Sequence, residues 1–322
     1  MKCFLALLVL SLSVNQAPAF KISSMREDDD WRMDDEARAY VEVFAESMHV
    51  CVCDPTPPKL VAPFDGDRAR EIQRAWAAFY KENVVERDSI GCDLVFIPPG
   101  KFKTKDRTWH ERPSVDWKPV EIATPFYIAK TEVTQRQWKA VMNSTPWKGK
   151  DNVKDGDDYP ATYVSWTECA RFCELLGKKE QSKVRLPTEV EWEYCCRAGT
   201  TTVYSFGDSE KLLEEFAWFY NNTDAVDEVY AHSCGKKKPN PFGLNDLHGN
   251  VSEWCQDTIT KSSQDVIATP PKFLRVNRGG AWGLPAELCE SGMREVSHPD
   301  RADSFVGFRI LKEIDEPRDA KE

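Results

Sequence analysis

The sequence predicts a mixed helix and strand domain with little regular secondary structure, preceded by a helical N-terminal extension. Three observations predict it. Short apolar runs at 94–97 and 126–129 read as buried strands and are followed by capped amphipathic helices. After the helix that holds Trp192 and Tyr194, long stretches rich in Asn, Asp, Gly and Trp show no clear period. The chain also holds 11 Trp. Indole rings bury a large area and bring one donor each, which suits a loop-rich core.

The first 19 residues read as a secretory leader: Lys2 supplies the positive start, residues 4–14 are apolar, and Ala17-Pro18-Ala19 is a small-x-small cleavage site. The apolar run is too short for a permanent membrane span. An exported product, secreted or periplasmic, follows, cleaved after Ala19 and free of the membrane. Residues 20–63 form an acidic, Pro-rich extension. Tyr40, Val41, Phe44 and Met48 share one face of a helix expected over 35–49, and Pro55, Pro57, Pro58 and Pro63 mark a linker. A pre-domain helix is expected over 67–83 within the segment 64–89, with Ile72, Trp76, Phe79 and Tyr80 on one side. The main domain runs over 90–313, and 314–322 is a tail.

Within that domain, Pro98-Pro99-Gly100 stops the first strand. Thr134 with Gln137 makes a capping box for the helix through Trp138, and Ser165 with Glu168 makes another. The second of these helices has an apolar face of Cys169, Phe172, Cys173 and Leu176. Tyr163-Val164 reads as short and extended, and Thr188 as a cap for the helix holding Trp192.

The formal net charge is −10. A chain with that balance lacks the positive charge that neutralises phosphates, so nucleic acid is not an expected partner. Lys236-Lys237-Lys238 reads as a loop. Apart from Cys3, ten of the 11 cysteines remain, and an oxidising compartment favours some pairing. Cys51-x-Cys53 has no second pair at zinc-finger spacing, so structural zinc is not expected.

The most informative stretch runs from Gly243 to Cys255 and contains HGNVSEW. Arg278-Gly279-Gly280-Ala281-Trp282 and Gly307-Phe308-Arg309 follow it. Earlier come LVFIPPGKF from Leu94, FYIAKTEVT from Phe126, Tyr163-Val164-Ser165-Trp166, RLPTEVEWEYCCRAG from Arg185, Tyr204-Ser205-Phe206-Gly207-Asp208, and Pro239-Asn240-Pro241-Phe242-Gly243-Leu244. In this order, over about 90–312, these motifs resemble the formylglycine-generating enzyme (sulfatase-modifying factor) family. The resemblance implies an α+β domain of the C-type-lectin-like formylglycine-generating-enzyme fold.

The family's namesake reaction oxidises a cysteine of exported sulfatases with oxygen and a copper(I) ion held by two thiolates. Soft thiolates select Cu(I) and leave room for the substrate's sulfur. Those two positions read Leu284 and Cys289 here, the expected serine is Ala281, and the expected tryptophan is Ser252. A single thiolate beside a leucine does not build that site, so copper is not expected. Cys289 remains the one catalytic candidate, as a redox or vestigial thiol, or else it is structural. The family's usual disulfides would pair cysteines matching Cys173 and Cys196 with positions that here read Arg294 and Ile310. Those bridges cannot form, and Cys196 to Cys289 is a rewiring worth testing.

The family's calcium loop maps onto Asp246, Gly249, Val251 and Glu253, two carboxylates and two backbone carbonyls of the hard-oxygen type. The competing reading has Asp246 and Glu253 accepting hydrogen bonds in a tight loop without metal. Ser252, Trp282, Arg294 and Arg309 are candidates to line a ligand cleft, although arginines in such motifs commonly pair with buried carboxylates. A sister branch of the family uses non-haem iron held by an added histidine-rich domain. His49, His110, His232, His248 and His298 offer no His-x₃-His pair, so iron chemistry is not expected. Two functions follow: a diverged enzyme acting on an exported protein or small thiol, or a non-catalytic lectin-like module that binds a protein or glycan.

Overall fold

The computed structural model describes residues 56–104, 107–108, 117–260 and 273–315. The leader, the helix expected over 35–49, and Cys51 and Cys53 lie outside the described residues. Strand β1 (Leu60–Val61) leads into helix α1 (Gly66–Tyr80). Asp65 caps this helix by accepting the Arg68 N–H at 2.8 Å, and Ala69, Ile72, Trp76 and Ala77 are buried. The helix stops at Tyr80 rather than Asn83 because Lys81 turns left-handed, at φ 59°. Strand β2 (Val85–Arg87) pairs antiparallel with β3 (Asp93–Ile97). The segment before Ile90 therefore shares the core and the sheets of the domain that follows.

Strands β4 (Gly100–Thr104), β5 (Arg107–Thr108), β6 (Lys118–Ile122) and β7 (Phe126–Ala129) come next. Helix α2 (Gln135–Met142), helix α3 (Trp166–Glu180), strand β8 (Val184–Arg185) and helix α4 (Glu189–Arg197) follow. All three helices open on a capping box, including a third one, Thr188 with Glu191, at α4. Each cap hydroxyl takes the N–H three residues on, and that residue's side chain takes the cap N–H, satisfying donors a helix start leaves open. The predicted apolar face of α3 is buried throughout. Trp138 stacks on Phe172 at 5.6 Å between centroids, and Phe308 meets both edge-on. Tyr163 and Val164 do not form a strand: Tyr163 sits at φ 56°, and its N–H donates to the Asp303 carbonyl.

The last third is more regular than its sequence suggests. After the short helix α5 (Leu213–Phe216) come β9 (Ser252–Thr260), β10 (Phe273–Arg278), β11 (Met293–Ser297), β12 (Val306–Gly307) and β13 (Leu311–Glu313). One sheet has the order β12-β9-β10-β11-β5, a second β2-β3-β7-β13-β8, and a third β1-β4-β6. Strand β9 escapes a periodicity reading because its first half is buried on both faces. Ser252, Glu253, Trp254 and Cys255 are all buried, so no alternation marks the strand.

The disulfides expected of an exported chain are not formed among the described residues. Cys92, Cys169, Cys173, Cys195, Cys196, Cys234, Cys255 and Cys289 are free thiols. No described helix is long and apolar enough to cross a membrane.

Candidate functional site

The parallel pairing of β12 with β9 sets Gly307 beside Glu253. Arg309, two residues further, then reaches the Glu253 carboxylate with two bonds of 2.6 Å, from Nε and Nη2. Trp192 on α4 donates its indole N–H to the same carboxylate at 2.7 Å. The remaining guanidinium hydrogens go to the carbonyls of Ala129, Lys130 and Asn245. Arg309 and Glu253 are both 0% exposed. Burying a charge is tolerable only when it is paired and fully hydrogen-bonded, and here both conditions hold. Arg309, a candidate for a ligand cleft, is thus a buried structural cation.

A second buried network lies beside it. Glu193 accepts from Arg197, Arg278 and Thr104, each at 2.7 Å. Glu189 accepts two bonds from Arg294. Arg294 therefore spends its fork on a carboxylate of its own fold. Ser252 is buried and donates to the Gly280 carbonyl at 3.0 Å. Trp282 is 3% exposed, donates to the Ser304 carbonyl and stacks on Phe305 at 4.7 Å. All four cleft candidates are committed to contacts within the protein.

Cys289 is fully buried, and burial pushes its thiol up to about 12, against a backbone hydrogen bond from Ala281 that pulls the other way. A thiol in that state is neither a good nucleophile nor a ready metal ligand. Gly280 makes the burial complete. It sits at φ 73°, and a Cβ there would lie 2.5 Å from the Cys289 sulfur. Leu284, at the other oxidase position, is half-buried and offers its carbonyl to the Tyr220 N–H.

His248 fastens this segment from behind. Its Nδ1 lies 2.9 Å from the Cys289 carbonyl, so Nδ1 carries the proton and Nε2 accepts from the Ser205 N–H at 3.1 Å. Burial lowers the ring to about 4, which keeps it neutral. The Cys196 sulfur sits 3.8 Å from Nε2 and 3.7 Å from the Leu247 carbonyl.

The two carboxylates of the calcium reading sit in different surroundings. Asp246 is 2% exposed; its Oδ2 accepts the Gly235 N–H at 2.6 Å, and its Oδ1 has no partner. That open oxygen fits a hard cation. Glu253 is instead committed to Arg309 and Trp192. Glu132, which sequence reasoning did not single out, is 0% exposed; its Oε1 accepts from Asn250 at 2.9 Å, and its Oε2 is also without a partner. Burial raises Glu132 well above the carboxylate range and Asp246 to about 6. The available signal was a lone acid in FYIAKTEVT, set between Thr131 and Val133 and two residues before the capping Thr134. Among the described residues no three His, Cys, Asp or Glu side chains converge as a metal-binding group.

These features define an α+β scaffold of the formylglycine-generating-enzyme type, built around a buried carboxylate and arginine core. The profile of the sulfatase-modifying factor enzyme 1-like domain matches residues 81–314, and the chain belongs to this family. It is 25% identical over 275 residues to the chaperone protein LppX of Paenibacillus barcinonensis, covering 70% of this chain and 90% of that one. It is 29% identical over 203 residues to the formylglycine-generating enzyme of Mycobacterium tuberculosis, covering 55% of this chain and 66% of that enzyme. The structure of PvdO from Pseudomonas aeruginosa superimposes with a TM-score of 0.61 at 24% identity, over 71% of this chain and 98% of that one, and shares the fold.

Proposed function

We propose that this chain is an exported, non-catalytic binding module that holds a protein or glycan partner on a formylglycine-generating-enzyme scaffold. The state of the two oxidase positions carries this reading. Leu284 brings no sulfur, and Cys289 is 0% exposed with its thiol held protonated. A two-coordinate Cu(I) centre needs two thiolates open to a third. Ala281 and Ser252, at the expected serine and tryptophan positions, support the same reading. Export rests on the leader sequence, and the family's name for LppX, a chaperone, favours a protein partner.

The test incubates the purified mature protein with Cu(I), oxygen and a peptide carrying Cys-x-Pro-x-Arg. Mass spectrometry follows conversion of the cysteine to the aldehyde. No conversion is expected, either in the native chain or in Leu284→Cys, because the second thiol stays covered by Gly280. Conversion by the native chain that vanishes in Cys289→Ser supports the diverged-enzyme reading instead. A glycan array probed with the same labelled protein separates the two partner classes.

A further inference from the structure

Three Asn-x-Ser/Thr triplets, the acceptor pattern for N-linked sugar in an exported chain, occur in the sequence: Asn143-Ser144-Thr145, Asn221-Asn222-Thr223 and Asn250-Val251-Ser252. The fold treats them differently. Asn250 is 0% exposed, and its amide is spent at both ends. The nitrogen donates to Glu132 Oε1 at 2.9 Å and to the His232 carbonyl, and the oxygen takes the His232 N–H. A sugar on that nitrogen has no room. Asn143 ends helix α2 in an exposed left-handed turn, and Pro146 follows its triplet at once, which disfavours helical backbone at Thr145.

Asn221 is exposed in the turn Tyr220–Asn222, and its side-chain amide makes no hydrogen bond among the described residues. The third member of its triplet does the reverse. Thr223 is 0% exposed, and its hydroxyl donates to the Phe219 carbonyl at 2.8 Å and points at the Trp282 carbonyl. A transferase can therefore read this triplet only before the chain folds. Folding then leaves the asparagine outside and locks the threonine inside. A second observation points to the same place. Tyr220, Val226 and Val229 share this loop, and with Leu212 they make four of the nine large apolar side chains exposed among the described residues. Apolar surface gathered in one loop is either covered or a liability for aggregation.

We propose that Asn221 carries an N-linked oligosaccharide that shields the loop from Leu212 to Val229. The proposal rests on the export half of the reading above and does not depend on whether the module is catalytic. The donor is an oligosaccharide held on a polyprenyl pyrophosphate. The Asn221 amide nitrogen bonds to the anomeric carbon, the bond from that carbon to the pyrophosphate oxygen breaks, and the pyrophosphate leaves with the electron pair. The amide gives up one proton, and nothing is oxidised or reduced. The product is a bulky, solubilising surface group. Its root lies next to Tyr220, whose N–H donates to the Leu284 carbonyl at 3.0 Å, so the sugar stands beside the position that brings no sulfur.

The experiment expresses the full chain with its own leader in cultured animal cells and recovers it from the medium. Peptide N-glycosidase releases the sugar and leaves an aspartate where a modified asparagine stood, and peptide mapping by mass spectrometry reads each triplet. Conversion at Asn221 and none at Asn250 is expected. Asn221→Gln is expected to lose one step of gel mobility against the native chain, and Asn143→Gln to keep the sugar on Asn221. Releasing the sugar should raise the fluorescence of a dye that binds apolar surface, and Asn221→Gln should show that rise before digestion. A sugar whose release leaves the dye signal unchanged overturns the shielding role. Asn221 recovered unmodified from a secreted, folded chain overturns the proposal, leaves the loop to a protein partner and keeps the export reading. A chain that stays in the cells with its leader uncleaved overturns both. Peptide mapping reads the native chain, so a variant that fails to fold does not blunt it.

Discussion

The Glu253–Arg309 pair and the segment from Ala281 to Cys289 lie on neighbouring strands and loops of one sheet, yet they have kept different things. The first carries a full set of partners: two arginine bonds, an indole bond, and three carbonyls for the rest of the guanidinium. The second carries Leu284 and Ala281 where the resemblance leads one to expect a thiol and a serine, and its Cys289 thiol is buried beneath Gly280. On the non-catalytic reading proposed above, scaffold and reaction are separable in this fold. A buried charge network is needed wherever the chain folds, whereas a thiolate pair is needed only where copper chemistry is done.

Breaking the first region should have the largest effect. Arg309→Met strands a buried carboxylate and is expected to cost about 3–5 kcal/mol in urea unfolding. A loss below 1 kcal/mol, roughly, would mean that the Glu253–Arg309 pair contributes little to stability. Trp192→Phe removes one donor from the same carboxylate and keeps most of the ring. About 1–3 kcal/mol is expected from the same measurement. Both changes should leave the Cys289 segment's accessibility to thiol reagents as it was, if the two regions are independent.

Disturbing the second region should cost less. Cys289→Ala deletes a buried sulfur and is expected to cost on the order of 1–2 kcal/mol. It also carries a pH signature. The folded thiol sits at about 12, above the ordinary value of 9.0. Its stabilising share is therefore complete below pH 9 and is lost as pH rises toward 12, because only the unfolded thiol ionises in that window. Alkaline unfolding curves of Cys289→Ala should fall less steeply there than those of the native chain. In the native protein Cys289 should react with a thiol reagent only at the rate of unfolding. The smallest effect belongs to the surface. Lys238, paired with Glu215 and 63% exposed, should tolerate Lys238→Ala with a loss under about 0.5 kcal/mol by thermal unfolding.

Local rules made much of the first two thirds legible. The capping residues Thr134, Ser165 and Thr188 mark helix starts because their effect acts over three residues. The face of Cys169, Phe172, Cys173 and Leu176 shows itself because a helix repeats every 3.6 residues. The two strands at 93–97 and 126–129 are short apolar runs bounded by turns. Strand β9 was not legible, since four consecutive buried residues of mixed polarity carry no period. Tyr163 was misread because a left-handed backbone at an aromatic residue is imposed from outside, here by the bond to Asp303.

By itself the sequence determined the family, the order of motifs, the capped helices and the missing thiolate, because each is a matter of residue identity or of spacing within a few positions. The tertiary structure alone decided that Arg309, Arg294, Ser252 and Trp282 face inward, that Cys289 is covered, and that Glu132 meets Asp246. Glu132 and Asp246 are far apart in the chain, and the donors that commit Glu253 come from α4 and from beyond β12. Which side chain neutralises which buried charge depends on strand register and helix packing, and no local pattern encodes that choice.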